Sequence, residues 1–248
     1  MRGGASAALR ALPAALLLAV LPADALRFTT VDIPDHGPLL DAGVDGRGTV
    51  VLLYRGFPRV VRLEEGSSVE LDLAETEMPG GLCVMEGDQM LVSDRSAGLV
   101  RRYGPGGALL SVMDAPGSPG DVAMVGLEVW FFSREECLVR AAGEGGRVVF
   151  RPPGECVMSL SGGTLVGTAA SESAWRLRPG DPPELLAGRC LDATILEGVP
   201  VVLLDSMTAL RLPSDTLALP TPVSRASGSS GGWLLLWSPS SGTALLAR

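Results

Sequence analysis

The feature that most constrains this chain is a repeat of about 35 to 40 residues, which recurs along most of its 248 residues. In five copies an apolar residue is followed by an arginine, and successive arginines are 39, 39, 36 and 35 residues apart, at Arg62, Arg101, Arg140, Arg176 and Arg211. Helical repeats of similar period need amphipathic runs of about ten residues or more, and none follows the first 25 residues. The repeat therefore predicts short strands rather than helices.

The segment Gly80–Asp114 contains the clearest copy. Its four apolar runs are Gly81–Met85, Met90–Ser93, Leu99–Tyr103 and Leu109–Met113. Four short strands joined by tight turns form one antiparallel meander, which is the composition of a β-propeller blade. We therefore expect an all-β fold, a six-bladed β-propeller of four-stranded antiparallel blades, in one domain at 26–248. The approximate blade limits are 37–76, 77–116, 117–153, 154–187, 188–221, and 222–248 together with 27–33.

The last unit is short of one strand. It contains three apolar runs, and no fourth run precedes Arg248. Near the other end, Arg27–Ile33 alternates apolar and polar residues, as a half-buried strand does. We expect this N-terminal strand to close the last blade as its outer strand, because pairing the two ends covers sheet edges that would otherwise stay open.

The first 25 residues have the layout of a secretory signal. Arg2 and Arg10 supply positive charge, Ala14–Leu21 is a short apolar run, and Ala23-Asp24-Ala25 offers small residues for cleavage before Leu26. We expect a signal peptide at 1–25 and a secreted or periplasmic protein of bacterial type. An uncleaved anchor is the alternative, although the apolar run is short for a membrane span.

Charge and composition narrow the classes of partner. The formal charge is −8 and the chain has one histidine, His36. An acidic chain disfavours nucleic acid and anionic membrane surfaces, so we expect no nucleic-acid partner. We also expect a monomer, without a membrane span after signal cleavage. The chain has no lysine for a Schiff base. His36 lies in a Pro/Gly loop beside Asp35, which favours an exposed turn over a general base.

The clearest repeat resembles a known family. It contains Pro79–Leu82 (PGGL), Asp88–Asp94 (DQMLVSD), Gly98–Tyr103 (GLVRRY) and Gly104–Gly107 (GPGG), in that order. This order resembles the NHL repeats of β-propellers, and the fourth and fifth units keep it only loosely, so the chain is similar to a divergent NHL-like propeller. The resemblance implies the fold and leaves function open, because related propellers include binding scaffolds and enzymes. Some similar six-bladed lactonases hold a divalent metal with Glu, Asp and Asn, and this chain has no Asn, although carboxylates alone could ligate Ca²⁺.

Candidate site residues follow from where the inner strands begin, since these starts converge on the channel of a propeller. We place the starts near Asp45, Gly81, Asp121, Glu155, Arg189 and Val223. The candidate ligand-binding cluster is Asp45, Asp121, Glu155, Arg189 and Asp192. Unlike charges there could recognise a small polar ligand or a cation, and the alternative is that they are solvated turn residues. Asp94 and Asp205 end second strands and are expected to form Asx turns.

Four cysteines, Cys83, Cys137, Cys156 and Cys190, contain no C-x-x-C pair, so zinc and redox motifs are not predicted. Cys156 and Cys190 occupy similar places in adjacent units and form the preferred disulfide, with four buried thiols as the alternative.

Two functional hypotheses remain. The first, favoured because the chain shows no catalytic constellation, is a non-catalytic binding or interaction module for a protein, peptide or glycan, without a cofactor. The alternative is a metal-dependent, Ca-type lactonase or lyase with a carboxylate-rich site at the channel mouth. The sequence leaves open whether the protein is an enzyme.

Overall fold

Short apolar runs between Gly- and Asp-rich turns form strands of three to seven residues along the chain. The computed structural model describes residues 26–56, 58–64, 67–152, 158–161, 165–168, 173–213 and 215–248. Within these residues the strands form six four-stranded sheets, and neighbouring strands in each sheet are antiparallel. No helix in these ranges is long and apolar enough to cross a membrane.

Five sheets are each built from four consecutive strands. The first strand of the chain, β1 (Phe28–Asp32), belongs to none of these five. Sheet 1 contains β2 (Leu39–Val44), β3 (Val50–Tyr54), β4 (Arg59–Glu64) and β5 (Ser67–Asp72), and sheet 2 contains β6 (Pro79–Val84), β7 (Met90–Asp94), β8 (Leu99–Tyr103) and β9 (Leu109–Asp114). Sheet 3 contains β10 (Pro119–Val125), β11 (Glu128–Ser133), β12 (Leu138–Ala141) and β13 (Val148–Phe150), and sheet 4 contains β14 (Met158–Ser161), β15 (Leu165–Thr168), β16 (Ser173–Arg176) and β17 (Glu184–Gly188). Sheet 5 contains β18 (Cys190–Leu196), β19 (Val199–Leu204), β20 (Ala209–Arg211) and β21 (Thr216–Ala218).

The sixth sheet is composite. It contains β22 (Arg225–Gly228), β23 (Leu234–Trp237) and β24 (Thr243–Ala247), and β1 is its outer strand. The strand expected at Arg27–Ile33 is β1, which pairs antiparallel with β24 from Phe28 opposite Ala247 to Asp32 opposite Thr243. The count of six blades expected from the sequence is corrected to five, each built from four consecutive strands, and the remaining sheet is assembled from both ends of the described chain.

The apolar core is divided among the junctions between sheets. Six buried clusters occur in the described residues, and each combines side chains from two neighbouring sheets. One of them packs Trp237 of sheet 6 against Leu52 and Tyr54 of sheet 1. Because this junction joins the last sheet to the first, the sheets close into a ring, as a propeller requires. Trp130 is buried in the junction of sheets 3 and 4.

The start of the first inner strand differs from the prediction. β2 begins at Leu39 and ends at Val44, so Asp45 follows the strand rather than opening it. The register of β2 shifts between Leu39 and Asp41, and similar bulges interrupt the starts of β6, β10 and β18. A bulge leaves one residue outside the regular ladder and re-aims side chains near it. The prediction was wrong because no sequence signal separates Asp41, the third residue of a buried strand, from Asp45 in the turn that follows it.

Candidate functional site

The inner strands of the six sheets surround a central cavity of about 740 Å³. Most of its lining comes from β2, β6, β10, β14, β18 and β22 and from the turns that follow several of them, with Arg102 of β8 and Trp237 of β23 in addition. Among the described residues, the lining includes Gly46, Glu86, Gly126, Glu197 and Ser230 from those turns, and no residue of the loops that precede the inner strands. The cavity is therefore accessible from the end of the channel where the inner strands finish.

Three aspartates recur in alternate sheets near the other end of the cavity. The carboxylates of Asp41, Asp121 and Asp192, in sheets 1, 3 and 5, each accept a hydrogen bond from a backbone N–H of the next sheet. The donors are Leu82 at 2.7 Å, Leu160 at 3.4 Å and Ala226 at 2.9 Å, which lie 41, 39 and 34 residues further along the chain. Each carboxylate thus ties two neighbouring sheets together at one repeat length.

The residues that precede these three donors complete a set of six. They are Gly81, Ser159 and Arg225, in sheets 2, 4 and 6. We call Asp41, Gly81, Asp121, Ser159, Asp192 and Arg225 the axial ring. Aspartates therefore alternate with residues of other types around the channel.

The ring carboxylates also bond within their own strands. Oδ1 of Asp41 accepts from the backbone N–H of Ala42 at 2.9 Å, and Oδ1 of Asp192 accepts from that of Ala193 at 2.9 Å. The hydroxyl of Ser159 donates to the same oxygen of Asp192. The bulges explain this pattern, because the interrupted ladder leaves N–H groups that side-chain oxygens can satisfy.

Arg225 crosses the channel from sheet 6. Its Nη2 lies 3.0 Å from Oδ2 of Asp121, three sheets away, and its Nε lies 3.7 Å from Oδ2 of Asp192. The side chain is 24% exposed, whereas those of Asp121 and Asp192 are 8% and 1% exposed. One guanidinium therefore contacts two carboxylates at the level of the ring, where it partly neutralises three.

Burial and charge shift the protonation equilibria of the ring. Burial, together with the nearby charge of Asp121, raises the pKa of Asp41 to about 7. Burial also raises the pKa of Asp192, against the opposing effect of Arg225. Burial acts to lower the pKa of Arg225, but the three carboxylates outweigh it and raise that pKa. Near neutral pH the ring thus holds a permanent cation, and the Asp41 carboxyl, with its pKa raised to about 7, can exchange a proton.

Further carboxylates line the accessible end of the cavity. Asp45 follows β2, and its Oδ1 accepts hydrogen bonds from the backbone N–H groups of Arg47 at 2.8 Å and Thr49 at 2.7 Å. Burial acts to raise the pKa of Asp45, but a hydrogen bond from Asp88 and these N–H groups outweigh it and lower that pKa. The same bond to Asp45 raises the pKa of Asp88. Asp45 is therefore a turn-forming anion at the cavity margin.

The charge of the lining is predominantly negative. The described lining includes six carboxylate side chains and two arginines: Asp41, Asp45, Glu86, Asp121, Asp192 and Glu197 against Arg102 and Arg225. Low-dielectric walls around one sign of charge strengthen the potential inside a cleft. The cavity is thus suited to a positively charged group.

The five predicted site residues have different locations. Asp121 and Asp192 come together in the axial ring, and Asp45 lines the cavity at its opposite end. Arg189 is exposed, precedes β18 with a φ of 56°, and is not in the described lining of the cavity. Glu155 lies outside the described residues.

The prediction omitted Asp41, Ser159 and Arg225. Asp41 could have been found from Leu40-Asp41-Ala42, because Leu191-Asp192-Ala193 repeats it in sheet 5. Ser159 and Arg225 lack such a signal. They become neighbours of the aspartates only when the ring closes.

Two other polar residues considered in the sequence, Asp94 and His36, lie outside the described lining of the cavity. Oδ1 of Asp94 accepts from the backbone N–H of Ser96 at 3.1 Å, as in an Asx turn, and its Oδ2 pairs with Arg101 at 2.6 Å in the buried part of sheet 2. Nδ1 of His36 lies 3.8 Å from Glu70 on sheet 1, outside the described cavity lining.

The disulfide predicted between Cys156 and Cys190 stays a prediction. Cys156 lies outside the described residues, and Cys190 is buried between sheets 4 and 5. Cys83 lines the cavity, where burial raises the pKa of its thiol to about 11. A thiol that stays protonated at neutral pH is a weak nucleophile.

The ring does not fit a divalent metal. Among the residues that the structure describes, no group of three or more His, Cys, Asp and Glu side chains is arranged to hold a metal ion. The carboxylate oxygens of the ring accept from backbone N–H groups, and two of the carboxylates contact Arg225. Calcium requires six to eight oxygen ligands, and in this protein the guanidinium of Arg225 already lies against Asp121 and Asp192.

Comparison with known proteins gives the fold. No protein-family model matches the sequence, and no curated protein matches it. A gluconolactonase structure from Xanthomonas campestris is similar with a TM-score of 0.61 and 13% identity, over 88% of this chain and 89% of that chain. Virginiamycin B lyase from Staphylococcus aureus is similar with a TM-score of 0.58 and 11% identity, over 86% of this chain and 82% of that chain. The WD40 β-propeller domain of Doa1 has a TM-score of 0.57 and 10% identity, over 88% of this chain and 95% of that chain. The chain is a β-propeller.

Proposed function

We propose that the protein is a β-propeller binding module whose central cavity receives a cationic group of a peptide or protein partner. The observation that carries the proposal is the excess of carboxylates over arginines in the described cavity lining. The cavity, at about 740 Å³, is within the range of small-ligand sites. A lysine or arginine side chain would reach the interior from the end where the inner strands finish.

The chemistry of the lining supports binding rather than covalent catalysis. The thiol of Cys83 is held protonated by burial. His36 lies in the loop before β2, 3.8 Å from Glu70 on the outer strand of sheet 1, and the chain has no lysine. Several serines in the lining, including Ser227, Ser229 and Ser230, can hydrogen-bond a polar partner without reacting with it.

Two finer proposals accompany this function. The motif order in Pro79–Gly107 supports a divergent NHL-like propeller. The layout of residues 1–25 supports a secretory signal, and hence a secreted or periplasmic location where the protein would meet partner peptides.

Titration of three matched peptides tests the proposed function. Acetylated and amidated Gly-Gly-X-Gly-Gly, with X as lysine, norleucine or glutamate, would be titrated by calorimetry at low ionic strength. We expect the lysine peptide to bind and the glutamate peptide not to bind. Binding of the norleucine peptide as tight as that of the lysine peptide would contradict the proposal, since norleucine keeps the aliphatic chain of lysine and lacks its ammonium group.

A pair of variants locates the binding. Glu86→Gln with Glu197→Gln removes two carboxylates from the accessible end, and Glu135→Gln removes an exposed carboxylate outside the described lining. At about 0.5 to 1 kcal/mol for each charge pair, the double variant should raise the Kd for the lysine peptide about 5- to 30-fold. Glu135→Gln should leave it unchanged. Equal weakening by both would place the binding elsewhere.

A second candidate function is acid–base catalysis by Asp41. It is favoured by one observation, a carboxyl in the cavity whose pKa is raised to about 7, near the value that suits a general acid or base. Structural neighbours include a lyase and a gluconolactonase. The test is hydrolysis of a panel of lactones with and without Ca²⁺, by the parent protein and Asp41→Asn. Turnover that Asp41→Asn abolishes would favour the enzyme, and absence of turnover would exclude lactonase activity on that panel.

A further inference from the structure

We propose that Arg225 is the built-in cation of the axial ring, supplying to Asp121 and Asp192 the positive charge that a divalent metal would otherwise have to supply. The ring therefore needs no metal to hold its carboxylates together. This inference concerns the ring itself and does not depend on the ligand proposed for the cavity.

The geometry of the guanidinium supports the inference. Arg225 starts on sheet 6, yet its Nη2 reaches Asp121 of sheet 3 at 3.0 Å, and its Nε lies 3.7 Å from Asp192 of sheet 5. Its charge also acts on Asp41 of sheet 1. One side chain thus acts on carboxylates from three sheets.

The charge balance points in the same direction. As whole residues, Asp41, Asp121 and Asp192 are only 7%, 6% and 1% exposed, and buried charges must be paired. Arginine stays protonated in proteins, so its charge does not depend on pH or on an external ion. The hydrogen bonds from Leu82, Leu160 and Ala226 then satisfy further oxygen lone pairs.

Removing the guanidinium should convert the ring into a cation site. Arg225→Ala would leave the three carboxylates without a counter-ion. The hydroxyl of Ser159, next to Asp192, would be a further oxygen at the same level. Oxygen ligands of this type are those that Ca²⁺ prefers. We therefore expect a variant that is destabilised in chelator and restored by calcium, whereas the parent protein responds to neither.

The experiment compares melting temperatures in EDTA and in millimolar CaCl₂. The control variant is Arg178→Ala, since Arg178 is exposed on the loop after β16. For the parent protein and for this control, the melting temperatures in EDTA and in CaCl₂ should differ by less than about 1 °C, a small fraction of the shift expected from bound ligand. The melting temperature of Arg225→Ala should be about 5 °C or more higher in CaCl₂ than in EDTA, because a bound ligand well above its Kd stabilises the folded state by this order. Arg225→Ala with Asp121→Asn should lose most of this rise.

Three outcomes would overturn the inference. They are a parent protein that calcium stabilises through Asp121, an Arg225→Ala variant no more responsive than Arg178→Ala, and an equal response in the double variant. Arg225→Gln, which keeps most of the side-chain volume, is examined in parallel because truncation can prevent folding. If neither variant folds in chelator, folding on addition of calcium supports the inference and failure to fold with calcium contradicts it.

Discussion

Asp192 offers the clearest test that the ring carboxylates fasten neighbouring sheets. It is 1% exposed, and its carboxylate accepts from the backbone N–H groups of Ala193 and Ala226, each at 2.9 Å, and from the hydroxyl of Ser159. Replacing it with alanine leaves three buried donors without an acceptor. If Asp192 were instead a ligand-binding carboxylate with no structural role, its removal would relieve an unfavourable buried charge and leave stability unchanged or higher.

The expected loss can be worked from these contacts. Each buried donor left unpaired costs about 1 to 3 kcal/mol, so the three together cost roughly 3 kcal/mol at the lower end of that range. The unfavourable burial of the charge, seen in its raised pKa, offsets part of this loss. A net loss of about 2 to 4 kcal/mol lowers the melting temperature by about 5 to 12 °C for a domain of this size.

Thermal unfolding followed by circular dichroism measures this difference. Asp205→Ala is the matched control, because Asp205 is exposed directly after β19 of the same sheet. We expect the control to stay within about 1 °C of the parent protein. A melting temperature for Asp192→Ala that is equal to that of the control would refute the structural role of the ring carboxylate.

Three further outcomes follow from buried groups. Burial acts to raise the pKa of Asp94, but hydrogen bonds outweigh it and lower that pKa to about 2. The stabilisation by ionised Asp94 should therefore be complete above about pH 4 and lost as the pH falls towards 2. Urea unfolding of Asp94→Asn should lack this loss. The pKa of Asp41 is raised to about 7, so its effect has the opposite sign. Stability contributed by its protonated form should fall as the pH rises from about 4 to 7, and Asp41→Asn should remove that fall. Gly81→Ala would place a Cβ 2.6 Å from the Cα of Asp121, so we expect a loss of about 2 kcal/mol or more, whereas Gly106→Ala, with no atom within 4 Å, should unfold at the parent urea concentration.

The sequence predicts the repeat well because each blade is a local structure. The strand expected at Leu99–Tyr103 is β8 with the same limits, and Arg101 on it pairs with Asp94 seven residues earlier. Such short separations leave a pattern in one repeat that recurs in the next. The apolar runs of the second strands likewise predict β3 and β7, because these strands are buried along their whole length.

The site is harder to predict because its contacts join distant parts of the chain. Arg225 and Asp121 are 104 residues apart, and no local pattern connects them. Asp41 is 7% exposed within a bulged strand, whereas aspartate in a sequence favours a turn. Arg189 was expected beside Asp192, but it is the single residue between β17 and β18, where its backbone is left-handed and its side chain is exposed.

The most direct test of the account is the electrostatic potential inside the cavity, which can be measured without knowing the ligand. Ser227→Cys places a thiol in the cavity lining, and Ser206→Cys places one on the exposed turn after β19. Each variant would react with a cationic and an anionic methanethiosulfonate reagent, with the rate at each engineered thiol followed by mass spectrometry of the peptide that contains it. We expect the ratio of cationic to anionic rates to be about tenfold higher at position 227 than at 206, because an acidic cleft concentrates cations. A ratio at position 227 that equals or falls below the ratio at 206 would contradict an acidic cavity built to receive a cationic group.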